Sequence, residues 1–306
     1  MRITSEVMVT RSIERLHNRL AAYERSQSEL GTGKRILKPS DDPAGARRAM
    51  GLQGSMKARE QDLRNISDGL GWLNAADSQL QSANNRVARA RELAVRGAAP
   101  AGPTERNALA TEIREIADEI RAIANHRHLG RPIFGGFTDG DAVAFDADAN
   151  GGVGAWVSNG DNDEVRRRVS DSETVRVNVT AAEWMGFQDA DGNPTGQDLV
   201  TTLYALADEV QSGPESVVSA RLADLDAAMN RIGDALAAIG SATNRVDSAK
   251  ARAEDLSLTL RTELSEVQDI DMAQGLMELQ IQEVGYEATL SALAKALPPS
   301  LVAFLR

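Results

Sequence analysis

The 306-residue chain has no cysteine. Disulfides and thiolate metal sites are therefore excluded. Aromatic residues make up only 4%, which suits long helices better than a thick globular core. No apolar run approaches the ~20 residues that a membrane-spanning helix needs. Basic residues are in deficit, and the formal net charge of −11 argues against a nucleic-acid backbone as partner. From Met1 to Arg19, Glu6, Arg11, Glu14 and Arg15 stand where a secretory signal would be apolar, so no Sec-type signal is expected there. His-Glu-x-x-His, Gly-x-Ser-x-Gly and Cys–His patterns are all missing. Neither an enzyme nor a bound cofactor is expected.

What is present is heptad periodicity. Val218, Leu222, Leu225, Met229, Ile232, Leu236, Ile239, Thr243 and Val246 alternate at four and three, the a/d seam of a coiled coil. The seam shifts by one position through Ala249, Ala253, Leu256 and Leu260, then resumes at Leu264 and Val267. Beyond Ile270 two apolar stripes run together. One is Ile270, Ala273, Met277, Ile281, Val284, Ala288. The other is Met272, Leu276, Leu279, Glu283, Tyr286, Leu290, Leu293, Leu297. A helix needs one apolar stripe to pack on its own chain, and a second calls for another partner.

The same texture begins the chain. Val9, Ile13, Leu16, Leu20, Tyr23, Gln27 and Leu30 repeat at 4-3 spacing and predict a helix over about 5–30, ended by Gly31-Thr-Gly33. Pro39 and Pro43 interrupt the helical pattern; Ser40, Asp41 or Asp42 can cap the next helix. That helix is expected over about 44–96, with Ala49, Leu52, Met56, Arg59, Leu63, Ile66, Leu70, Leu73, Asp77, Leu80, Asn84 and Val87 in its seam. Thr104 is expected to cap a third helix, and Leu199, Leu203, Leu206 and Val210 mark another. From Arg131 to about Gln197 the helical period is lost, and six of the eleven aromatics fall there. Thr174–Thr180 alternates as a strand; Ala155–Val157 and Glu164–Arg166 are weaker candidates.

Residues 1–60 carry 12 Lys/Arg against 7 Asp/Glu, a net of +5, and residues 198–306 carry 8 against 17, a net of −9. Helices from the two ends would attract when paired. The expected fold is mainly α: a long coiled-coil helical rod with N- and C-terminal helices paired, plus a small β-rich inserted domain. Its domains are expected at 1–40 with 257–306, at 41–132 with 198–256, and at 133–197.

Several local patterns have blander explanations than ligand binding. Gly31–Arg35 lacks the spacing and the Ser/Thr of a phosphate loop. Asp146–Gly151 and Asp189–Asn193 open like calcium loops but lack the closing Glu, and hairpin turns explain them better. His126 and His128 have no evident third metal ligand. Arg166–Arg168 reads as a solvated patch.

One stretch is more specific. Gly31-Thr-Gly33-Lys34-Arg35-Ile-Leu-Lys-Pro39-Ser40-Asp41-Asp42-Pro43 closely resembles the segment after the first helix in flagellar hook-associated proteins of the hook–filament junction type. Met1–Met8 is similar to that family's start, and Arg131–Phe137 to its entry into the outer domain, with Pro132 where a bulky residue is expected. Ser67–Leu70 and Arg91–Val95 are shared with flagellins generally, and Leu297–Arg306 has a flagellin-like ending. The resemblance covers most of the helical part; the β-rich insert matches in position and character only.

The resemblance implies a structural part of the bacterial flagellum, exported unfolded by the flagellar type III apparatus. An export chaperone would hold its C-terminal helices first. It would form a ring of its own subunits, binding hook-associated protein 1 below and flagellin above, with no nucleic acid and no membrane insertion. The expected assembly interface is Val9, Ile13, Leu16, Leu20, Tyr23 and Leu30, with Leu276, Leu279, Ile281, Val284, Tyr286, Leu290, Leu293 and Leu297. A minor flagellin, or a coiled-coil scaffold that is not exported, are the alternatives.

Overall fold

A computed structural model describes residues 2–100, 102–147, 154–161, 163–187 and 198–296. In chain order the elements are α1 (Arg2–Thr32), α2 (Pro43–Gly97), α3 (Pro103–Ala124), β1 (Arg127–His128), β2 (Arg131–Pro132), β3 (Val143–Asp146), β4 (Ala155–Ser158), β5 (Arg166–Arg168), β6 (Thr174–Arg176), α4 (Ala181–Met185), α5 (Leu199–Ser212), α6 (Glu215–Gln268) and α7 (Met272–Ala296). The chain divides into two compact units, one of residues 1–58 with 256–306, the other of residues 59–255.

The second unit contains one continuous apolar core. The heptads place it. Ile66, Leu73, Leu80 and Val87 recur every seventh residue of α2 and are buried, as are Val218, Leu225, Ile232, Ile239 and Val246 on α6. The intervening seam residues Leu70, Leu222, Met229 and Leu236 pack against them half-buried. After Val246 the buried row passes to Ala249 and Ala253, a one-position shift. On α3, Leu109, Ile113, Ile116 and Ile120 face inward, and on α5 Leu199, Leu203, Leu206 and Val210 do. Fully burying each Leu or Ile of these rows stabilises by ~1.5–3 kcal/mol.

Three antiparallel hairpins, β1–β2, β3–β4 and β5–β6, lie between the helices. None is large enough for a core of its own, as expected of isolated two-stranded ribbons. Val143, Val165, Val169, Val175 and Val177 join the helical core, with Trp184 and Phe134 at 5.4 Å between ring centroids.

Four local expectations need correction. Thr104 does not cap α3: Gly102 is the N-cap, without a side-chain bond, and Pro103 takes the first turn. There proline's missing N–H costs nothing. The strand expected over 174–180 pairs only over 174–176. Val177 adds one bond to the Val165 carbonyl (2.9 Å), after which Thr180 is the N-cap of α4 and its N–H donates to Glu183 Oε2 at 2.9 Å. The C-terminal helix is not continuous. It breaks at 269–271, where Asp271 accepts from the N–H groups of Ala273 and Gln274 at 2.9 and 3.2 Å and starts α7. The strand expected at Glu164–Arg166 begins later, since β5 spans Arg166–Arg168.

Candidate assembly interface

α1 and α7 pack side by side within the first unit. Tyr23 stacks on Tyr286 with ring centroids 6.4 Å apart, and Arg19 donates to the Gln282 side chain at 3.4 Å. Leu16, Leu20, Leu30, Leu279 and Leu293 are half-buried, as are both tyrosines. These residues are therefore largely the inner face of the pair. At Gly275 the helices come close: a Cβ there would meet Ile270 Cδ1 at 2.7 Å and Leu30 Cδ2 at 3.0 Å.

The rest of the expected set looks away from that seam. Ile281 is 61% exposed and Val284 65%. Leu276, Leu290, Met272, Met277 and Ile13 are also exposed. About 100° of rotation per residue separates the two rows on one helix. The result is an apolar strip on α7 that α1 does not cover. The side chain of Val9, and Leu297 with the tail that follows, lie outside the described residues, as do most of the two Asp-rich loops.

The proline-rich motif forms the elbow between α1 and α2. Gly33 adopts φ +69°, which a residue with a Cβ enters only under strain. Asp41 turns back, its carboxylate accepting from the N–H groups of Leu37 (3.2 Å) and Lys38 (2.8 Å). Asp42 is the N-cap of α2, accepting from Gly45 N–H at 2.8 Å, with Pro43 next. A Cβ at Gly45 would run into the Asp42 carboxylate. The elbow also grips the α6–α7 break. Arg35 N–H donates to the Gln268 carbonyl at 2.8 Å, and Ile270 N–H to the Gly33 carbonyl at 3.0 Å. The Arg35 guanidinium reaches the Val267 carbonyl at 3.0 Å and lies 3.6 Å from Asp42. Lys34, Pro39 and Ser40 stand at the exposed surface of this turn. Asp271 and Gly275 complete the arrangement and were not among the expected residues. Their signal was present as an Asp cap before a helix and a glycine in its first turn, but the apolar stripes concealed it.

His126 and His128 do not converge. His128 packs its ring edge-on against Trp72 at 6.0 Å. Arg166, Arg167 and Arg168 form β5, with Arg167 bonded to Asp68 at 2.7 Å and Arg168 near Asp62 at 3.3 Å. Asp62 is fully buried and also meets Arg59 at 3.0 Å. Two of the three arginines are thus tied to α2, while Arg166 pairs with Glu164 and both Arg166 and Arg168 remain solvated. Among the described residues no helix is long and apolar enough to cross a membrane.

Comparison with known proteins agrees with this arrangement. The bacterial flagellin N-terminal helical region matches residues 3–131, and the bacterial flagellin C-terminal helical region matches residues 222–305. A flagellin of Bacillus subtilis is 25% identical, over 97% of this chain and 96% of its own length. Flagellar hook-associated protein 3 of Salmonella typhimurium is 22% identical, over 94% and 95% respectively. Among solved structures, a flagellar hook-associated protein of Vibrio parahaemolyticus superposes with a TM-score of 0.67 at 22% identity, covering 75% of this chain and 100% of its own. Hook-associated protein 3 of Legionella pneumophila gives 0.60 at 14% identity, over 71% and 98%. These structures share the fold. With both helical regions matched over more than two thirds of its length, the chain belongs to the flagellin family of bacterial flagellar structural proteins.

Proposed function

We propose that this protein is the hook–filament junction adaptor. It forms a short ring of subunits that receives hook-associated protein 1 on one side and the flagellin filament on the other. The observation that carries the reading is the uncovered strip of Met272, Leu276, Met277, Ile281 and Val284 beside an already paired α1 and α7. Solvating such a strip is unfavourable, and burial against neighbouring subunits removes that cost. On this reading the paired terminal helices (about 1–40 and 257–306) are the assembly domain. The helices of about 41–132 and 198–256 form the rod, residues 133–197 face outward, and an export chaperone covers the α7 strip before secretion through the flagellar type III apparatus. The Lys38–Pro43 elbow, with its two prolines, supports the junction protein over a filament flagellin.

A minor flagellin is the second reading, favoured by the 25% identity to the Bacillus flagellin over nearly the whole chain. Gold-tagged antibody on detached flagella separates the two. A single band between hook and filament is the expected result. Label along the filament would make the protein a filament subunit, and absence from flagella would overturn both readings.

A further inference from the structure

Two features of the second unit have no use inside the monomer. The first is a cleft of about 480 Å³ lined by Leu73, Val179 and Ile239 together with Arg231, and also by the two ion-paired residues Arg176 and Glu183 and by Asp234. Arg231 is half-buried, and among the described residues its Nε has no hydrogen-bond partner and it makes no ion pair. Its guanidinium lies against Gly186, where a Cβ would meet it at 2.7 Å. Burial pushes its pKa down, only partly offset by the field of Asp224. A guanidinium so placed gains from an anion that compensates its lost hydration.

The second feature is the loop after β2. Phe137 is 48% exposed, yet its backbone is fixed on both sides. Its N–H donates to Asp161 Oδ1 at 2.8 Å, and its carbonyl accepts from Arg131 at 3.1 Å. Gly136 at φ +66° leaves no room for a Cβ beside Asp161. Two residues on, the Asp139 side chain is 93% exposed and has only a loose contact with Arg131 at 3.7 Å. A phenyl group and a carboxylate are thus held out to solvent on a rigid turn.

The cleft and the turn are complementary: apolar side chains beside a cation with no ion pair among the described residues, and an aromatic ring beside a carboxylate held only loosely by Arg131. They also share a level along α2. Leu73 lines the cleft, while the turn is tied through Arg127 and Arg131 to the β1–β2 hairpin, whose His128 rests on Trp72. Copies standing side by side would bring one to the other. We propose that Phe137 and Asp139 of one subunit dock into the Arg231 cleft of a second copy, as the head-to-tail contact that closes a ring. The inference rests on the ring of the preceding section and adds its lateral contact.

The chain's lack of cysteine allows a direct test. Cells producing the Thr138→Cys, Ala238→Cys double variant would be treated with a short bismaleimide after detaching their flagella. Ala238 lines the cleft and is exposed. The expected result is a ladder of cross-linked subunits from the double variant, a dimer from mixed single variants, and nothing from either single variant alone. Adding Phe137→Ser, at an exposed position, should cut the yield about tenfold, the loss expected for one aromatic anchor. Asp139→Arg should weaken the ladder, and Arg231→Asp in the same chain should restore it. Immunogold on the same flagella keeps the two claims apart. A junction band without cross-links would overturn this contact and leave the adaptor reading intact. Absence of the band from flagella of the unsubstituted protein would overturn the adaptor reading itself.

Discussion

At the scale of single residues, the ion pairs between helices set the acid response. Asp226 accepts from Arg91 at 2.6 Å across α2 and α6, and that bond holds its carboxyl below the ordinary carboxylate range. A depressed folded value means that the pair's contribution is complete above the unfolded value of ~4. It is lost as pH falls through the lower folded value. Asp226→Asn should therefore lower stability slightly above pH ~4, converge with the parent protein in acid, and so flatten the acid limb of a thermal-stability profile; an unchanged acid limb would remove the pair from the account. Asp62 is a harsher case, being fully buried between Arg59 and Arg168. Asp62→Ala leaves Arg59 with only the exposed Asp171 as partner, and the expected loss is ~1–3 kcal/mol by denaturant titration. At the elbow, Gly33→Val forces a β-branched residue to φ +69°. It should cost at least ~1–2 kcal/mol, read as lower melting of the first unit.

At the scale of elements, α7 separates two roles that its stripes merge in the sequence. Leu279 is half-buried against α1, whereas Ile281 is exposed. Leu279→Asp should therefore unpair α1 from α7 in the monomer and lower its helix content by circular dichroism. Ile281→Asp should keep that content and stop incorporation into flagella. Equal incorporation of the Ile281 variant would sink the assembly role of the strip. The heptads of α2 and α6 were legible because an a/d seam admits few alternatives; every seventh residue became core from Ile66 to Val87 and from Val218 to Val246, whereas Leu52 and the seam from Leu256 onward did not. The break at 269–271 was not legible. Apolar residues continue through Ile270, and the chain stops its helix there because the elbow's Gly33 and Arg35 occupy the backbone groups of Ile270 and Gln268. That bond joins residues far apart in sequence, which periodicity cannot reveal.

At the scale of the whole molecule, the two units differ in what they bury. The second holds the continuous core, while in the first Ile36, Ala46 and Ala49 are the buried apolar side chains among the described residues. In dilute monomer, amide exchange should be slow along α2 from Ile66 to Leu93 and along α6 from Val218 to Val246. It should be fast in α1 and in α7 from Ile281 onward, since a half-covered helix pair opens locally at little cost. Strong protection of α7 without neighbouring subunits would contradict this.

The sequence by itself determined the long helices, their buried rows, the change to hairpins after Arg131 and the family, because periodicity and local motifs act between near neighbours. It located the residues of the interface without distinguishing inner from outer. Tertiary structure decided which of the two α7 stripes meets α1. It also decided that Arg167 and Arg168 of β5 are tied to α2, and that the hairpins fold into the helical core. Each of these depends on which surfaces meet across hundreds of residues, where burial and charge pairing are set by geometry that no single stretch contains.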